Sequence, residues 1–198
     1  MTTRTSILNR AGWTTITPPT LINVHRRRVE VPEAARQLLR QVHLPESGVW
    51  PTDGWPPLIL DRGLEPGSTG GHGPIRYAVA RVDPDRLRFV FSPASGIDGF
   101  HEFRVDEIRG GQFRGGQDGD GAELVHELRI EGPTRFLRAA IIPLHDALIE
   151  DLLDNVDALL TGAPPPRRRW SLRVRVLRRF LEVTQTRNRR ATGSSASR

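Results

Sequence analysis

Three histidines and the only tyrosine are the side chains of this sequence best suited to exchange a proton, hold a ligand oxygen or bind a metal. His101 alternates in step with Phe103 and Val105, and His126 with Leu124, Leu128 and Ile130, so strand parity turns both rings toward an apolar face. His145 lies between Ile141 and Ile149 at four-residue spacing and faces the same interior from a helix. Tyr77 shares a face with Ile75 and Val79, while Leu87, Phe89 and Phe91 share another. The candidate ligand-binding set is therefore Tyr77, Phe89, Phe91, His101, Phe103, His126, Leu128, His145 and Ile149. No metal site is expected, because Glu102 and Glu127 fall on the opposite strand faces and no inward carboxylate completes a ligand set. No cofactor is expected either, and no catalytic residue is assigned.

Other chemical motifs are weaker. Gly70, Gly71 and Gly73 precede a strand and are followed by no Lys-Ser/Thr, so they read as a tight turn into that strand and not as a phosphate loop. Gly110-Gly111-Gln112 and Gly115-Gly116-Gln117 read as a flexible hairpin connection. Asp118, Asp120 and Gly121 begin like a calcium loop, but the place of its bidentate glutamate holds Arg129.

The elements that must position these residues follow from periodicity. Ile22 to Val31 reads as a strand ended by Pro32, and Ala34, Ala35, Leu38, Leu39 and Val42 recur at helical spacing. Pro45 to Pro66 is rich in Pro and Gly and carries Trp50 and Trp55, which predicts an irregular segment packed by two indoles. Pro74 to Val82, Leu87 to Phe91, Gly99 to Ile108 and Ala122 to Ile130 alternate as an antiparallel meander. A helix from Pro143 to Thr161 closes the pattern, with Gly162 just past its end. Its apolar stripe of Leu144, Leu148, Leu152, Val156 and Leu159 needs a large partner, which only the sheet offers; Asp146, Glu150, Asp154 and Asp157 take the other side.

With 198 residues, one core is expected. Cysteine is absent, which excludes disulfides, thiol nucleophiles and thiolate metal sites. The net charge of +6 is unevenly placed: up to Pro166, 18 Arg face 22 acidic residues, whereas Arg167 to Arg198 holds 11 Arg against Glu182 alone. The basicity belongs to the C-terminal arm. Its Pro164-Pro165-Pro166 spacer and Arg167-Arg168-Arg169 lead into a helical stripe of Trp170, Val174, Leu177 and Leu181 ringed by arginines. Such a helix can dock on its own acidic domain or lie on an anionic membrane; a bare arginine cluster without a reading motif makes nucleic acid the weaker partner. No apolar run reaches the length of a signal or a membrane span, so a cytoplasmic location, peripheral to a membrane at most, is expected.

The order of elements, with the strings HRRRVEVPEAARQLL, WPTDGWPPLILDRGL, GGHGPIRYAVARVDPDRLRFVF, GFHEFRV, LVHELRIEG and PLHDALIEDLLDNVDALL, resembles the SRPBCC superfamily of START, Bet v 1-like and polyketide cyclase-like proteins. The resemblance spans roughly residues 21–162. It implies an α+β helix-grip fold, a curved antiparallel β-sheet wrapped around a long C-terminal α-helix, enclosing a pocket for a hydrophobic small molecule such as a lipid, polyketide or aromatic metabolite. Whether the pocket only binds, or works as a cyclase-like enzyme through its His and Tyr groups, stays open, as does oligomeric state. The expected layout is a polar leader over 1–20, the ligand-binding domain over 21–162, a Pro/Arg linker over 163–169, a basic amphipathic helix over 170–183 and a disordered tail over 184–198.

Overall fold

The computed structural model describes residues 6–8, 14–16, 19–112 and 118–180. The expected tail over 184–198 and the tip of the Gly-rich connection at 113–117 lie outside the described residues. Within the expected polar leader, β1 (Ser6–Leu8) and β2 (Thr14–Ile16) form an antiparallel pair.

The body is one seven-stranded, curved antiparallel sheet with a long helix against it. In chain order its strands are β3 (Thr20–Val29), β4 (Ile59–Leu60), β5 (Thr69–His72), β6 (Ile75–Asp83), β7 (Arg86–Phe91), β8 (Asp98–Gln112) and β9 (Asp118–Glu131). In space they run β3-β9-β8-β7-β6-β5-β4. The meander pairs neighbours from β4 to β9, and β3 then closes on β9, Thr20 opposite Glu131 and Val29 opposite Ala122. Irregular register at Val79/Arg81 and Ile108/Gly111 marks bulges, which bend a strand and add twist. The helix α1 (Pro32–Arg40) follows β3 directly, with Pro32 in its first turn.

The second long helix, α2 (Ile142–Thr161), follows a π turn over Leu137–Ile141 and ends at Gly162. Its apolar stripe sinks into the sheet: Leu144, Leu148, Leu152 and Val156 join Tyr77, Phe89, Phe103 and Leu124 in one core. The helix-grip architecture read from periodicity is the one found. One local reading is corrected. Gly70 and Gly71 belong to β5, an extra strand, and not to a turn: a Cβ on either would collide with a backbone carbonyl, Ile59 for Gly70 and Ile75 for Gly71. Among the described residues no helix is long and apolar enough to cross a membrane.

Candidate functional site

Between the inner face of the sheet and α2 lies a cavity of about 130 Å³. Of the nine expected ligand contacts, Phe91, His101, Phe103, Leu128, His145 and Ile149 line it. Tyr77, Phe89 and His126 are buried in the wall behind: Phe89 stacks on His101 at 5.0 Å, Tyr77 meets His101 edge-on at 4.9 Å, and His126 packs on Phe103 at 4.5 Å between ring centroids. Sequence parity missed part of the remaining wall. Trp50, Trp55 and His72 come from the irregular segment and β5, where no alternation could report their direction.

The cavity histidines are held uncharged by their surroundings. Burial drives His101 and His126 well below the ordinary imidazole pKa, reinforced by the neighbouring histidines. Burial also takes His72 down to about 3, with His145 and Arg76 adding to the shift. The Tyr77 hydroxyl, 3.1 Å from His72 Nδ1, shares a hydrogen bond with it and is kept protonated by burial. His101 Nε2 has no hydrogen-bond partner although it is buried. A desolvated, unpaired ring nitrogen is costly unless a guest or water supplies the missing bond, and this one belongs to a cavity-lining ring.

A second polar group sits where α2 meets β3. The sequence reading left Asp146, Glu150 and Asp154 on the far side of the helix from its apolar stripe and singled out nothing on β3. Alternation along β3 turns Asn23, His25, Arg27 and Val29 inward, and the helix carboxylates meet them. Glu150 accepts a hydrogen bond from His25 Nδ1 at 2.6 Å, and Asp146 Oδ1 lies 3.3 Å from His25 Nε2. Arg27 bridges Glu150 at 3.2 Å and Asp154 at 2.8 Å. Burial alone would lower the pKa of His25, but its bonds to Asp146 and Glu150 outweigh that and raise it. Asp146, whose burial would raise its pKa, is held well below the usual carboxylate range by His145 and His25. The signal that could have found this seam was the i, i+4, i+8 spacing of the three acids against the odd-numbered positions of β3.

The C-terminal arm covers the cavity mouth. Its helix, α3, runs over 172–180 and buries Val174 in the main core, with Trp170 and Leu177 packed beside it. Asp151, a buried carboxylate on α2, accepts hydrogen bonds from Trp55 Nε1 at 2.7 Å and Trp170 Nε1 at 3.0 Å, and Arg168 stands 3.3 Å away. Arg178 lines the cavity, donates to the carbonyl of Gly54 and lays its guanidinium over Trp170 at 3.6 Å and Trp55 at 4.9 Å. Gly54 leaves room for this packing, since a Cβ there would push on the end of Arg168 and crowd the Trp170 ring.

No family profile and no curated protein matches the chain by sequence. Solved structures match by shape. A point mutant of norcoclaurine synthase from Thalictrum flavum, in complex with a transition-state analogue, aligns over 75% of this chain and 98% of its own, at a TM-score of 0.52 and 10% identity. The same enzyme in complex with dopamine and hydroxybenzaldehyde aligns over 75% of this chain and 91% of its own, at 0.50 and 11% identity. The solution structure of the KanY protein aligns over 72% and 99%, at 0.51 and 11% identity. At such identities the likeness is one of fold alone.

Proposed function

We propose that this chain, whose architecture is the helix-grip fold of the SRPBCC superfamily of START and Bet v 1-like proteins, binds a small apolar molecule of about one aromatic ring that carries an oxygen. The observation that carries this reading is the apolar cavity with the partnerless Nε2 of His101, one of the rings that line it. Its size decides among the ligand classes. At about 130 Å³ it is comparable with the roughly 150 Å³ apolar cavity that accommodates benzene. A long acyl chain or a fused polyketide would require α3 to lift. Ligands of one-ring size, dopamine and hydroxybenzaldehyde, are bound in the norcoclaurine synthase structure, and this supports the size class without carrying over the reaction.

A cyclase-like use of the pocket finds less support. Proton exchange near neutral pH favours a group whose pKa lies near neutrality. His101 and His72 are held neutral and Tyr77 protonated, which suits them to hydrogen bonding and not to shuttling. The arm's exposed Leu172 and Val176, flanked by Arg175 and Arg179, are the surface through which an anionic membrane would be met. Arg168 and Arg178 are already spent on Asp53, Asp151 and Gly54, which weakens a nucleic-acid reading further.

The test is a titration of tryptophan fluorescence with phenol, acetophenone and decanoate, since Trp50 and Trp55 line the cavity. Saturable binding of the one-ring probes is expected, weakened about tenfold by His101→Phe. Tight binding of decanoate alone, or one-ring binding indifferent to His101→Phe, would sink the reading.

A further inference from the structure

We propose that His25, His145 and Asp146 form a site for one borderline divalent metal ion, of the zinc or iron(II) kind, in the polar seam beside the cavity. Local sequence pattern does not reveal it, because the carboxylate that completes the set comes from the helix and its partner imidazole from β3, two elements whose pairing is not local.

One ligand atom from each of the three side chains lies within 4.8 Å of the others. Asp146 Oδ1 is 3.3 Å from His25 Nε2 and 3.7 Å from His145 Nδ1. Ligand atoms bound tetrahedrally to zinc at about 2.0–2.1 Å stand roughly 3.3 Å apart, so His25 and Asp146 are already at ligand spacing. His145 has to close in, and it can do so without breaking a hydrogen bond, because neither of its buried ring nitrogens makes one and its Nδ1 meets Asp146 only at 3.7 Å.

The surroundings are those that orient a metal-bound imidazole. Glu150 takes the Nδ1 proton of His25 at 2.6 Å, which leaves Nε2 as the donor atom facing Asp146 and His145. Arg27 holds Glu150 in turn at 3.2 Å, and Asp154 holds Arg27 at 2.8 Å. An ion displaces the proton that Nε2 otherwise shares with Asp146, and that proton leaves to solvent.

A separate observation points to a missing guest. His126 is fully buried, both its nitrogens are unpartnered, and it sits directly opposite His25 across the β3–β9 register. Its ring lies 5.0 Å from that of His145 and 6.3 Å from that of His25. It offers a donor, direct or through water, to the fourth coordination position. Calcium and magnesium do not fit, since two or three imidazoles and one carboxylate are not an oxygen cage, and with no cysteine in the chain the thiolate-demanding ions are excluded. His145 also lines the cavity, so the ion lies beside any bound molecule, and a carbonyl or phenolate oxygen is a fitting further ligand.

The experiment needs no organic ligand, so it stands or falls apart from the proposed binding function. Full-length protein stripped with a chelator is titrated with zinc chloride by calorimetry, with cobalt(II) by visible absorption, and with iron(II) under anaerobic conditions in competition with zinc. One equivalent is expected, with an intense low-symmetry cobalt spectrum. His145→Gln and Asp146→Asn should each weaken zinc binding at least tenfold, and Glu150→Gln about 10- to 100-fold through misorientation of His25. His43→Gln, outside the cluster, should leave it unchanged. Circular dichroism of the metal-free variants checks that each is folded; should one fail to fold, the wild-type cobalt spectrum still decides. Absence of saturable binding, a weak octahedral cobalt spectrum, or affinity retained in a folded His145→Gln/Asp146→Asn double variant would overturn the proposal. The competition with iron(II) then ranks the two ions.

Discussion

Two faces of α2 meet the same sheet with opposite chemistry. Toward the middle of the sheet, Leu148, Leu152 and Val156 are fully or almost fully buried among Tyr77, Phe89 and Phe103. Toward its β3 edge, Asp146, Glu150 and Asp154 reach His25 and Arg27, with the carboxylates a third or more exposed. The first seam draws on area removed from water, at about 25 cal/mol per Å², and its loss has no substitute. The second draws on ion pairs that water and salt can replace, so its contribution to folding is small. A helix can therefore be anchored along one side and left free to carry function along the other.

The largest break of this contrast is Leu152→Asp. The side chain is 0% exposed, and an unpaired carboxylate there costs several kcal/mol, enough to consume most of a domain's stability. Circular dichroism should show an unfolded chain at room temperature; a native melting curve would mean that α2 is not gripped as described.

Truncation after Pro166 comes next. It removes the burial of Val174 and the packing of Trp170 and Leu177, and leaves Asp151 with only Trp55 as hydrogen-bond donor. A folded domain destabilised by about 2–4 kcal/mol is expected, read from its urea midpoint, together with a loss of one-ring ligand binding as the mouth opens. Gly54→Ala should reproduce a fraction of both effects by pushing Arg168 and Trp170 away. An unchanged midpoint on truncation would make the arm an ornament.

The pH dependence separates the dry seam from the wet one. His101 faces Tyr77, Phe89, Phe91, Phe103 and His126, and His72 faces Trp50 and Tyr77; His72 and His145 add to burial at His101, and His145 and Arg76 add to it at His72. Both are depressed below 6.5, His72 to about 3. Unfolded, they bind protons as the pH drops through 6.5; folded, they do not, so stability is present above that pH and is lost as the pH falls below it. With chelator present, the fall in urea midpoint from about pH 7 to about pH 5 should be shallower in His101→Phe than in wild type. Equal slopes would mean that His101 is not held neutral by the cavity wall.

The dry seam was legible in the sequence because it is periodic. Alternation put His101 with Phe103, and His126 with Leu128, on the inner face, and four-residue spacing put Leu148 and Leu152 beneath them. The wet seam was not. The run Arg26-Arg27-Arg28 reads as solvated charge until β3 is known to pair with β9, Arg27 opposite Leu124, a register between positions about a hundred residues apart that no local pattern encodes. The same limit hid the arm's seat: Asp151 looks like one more exposed acid of α2 until Trp55 and Trp170 arrive from opposite ends of the domain.

The smallest expected effect sharpens the contrast most. Asp154→Asn breaks the 2.8 Å pair with Arg27, whose side chain is 21% exposed against 33% for the aspartate, while Glu150 remains to hold the guanidinium. A partly exposed pair of this kind contributes about 0–1 kcal/mol, and less when salt screens it. The variant should melt within a few degrees of wild type, with the difference shrinking as salt rises, because the amide keeps the size of the carboxylate and leaves no buried group unpaired. Leu148→Ala, on the sheet-facing side of the same helix, should cost about 2–5 kcal/mol with no dependence on salt. If Asp154→Asn instead cost more than about 2 kcal/mol and kept that cost in high salt, the β3 edge would be as desolvated as the core, and the division of α2 into an anchoring face and a chemical face would fail.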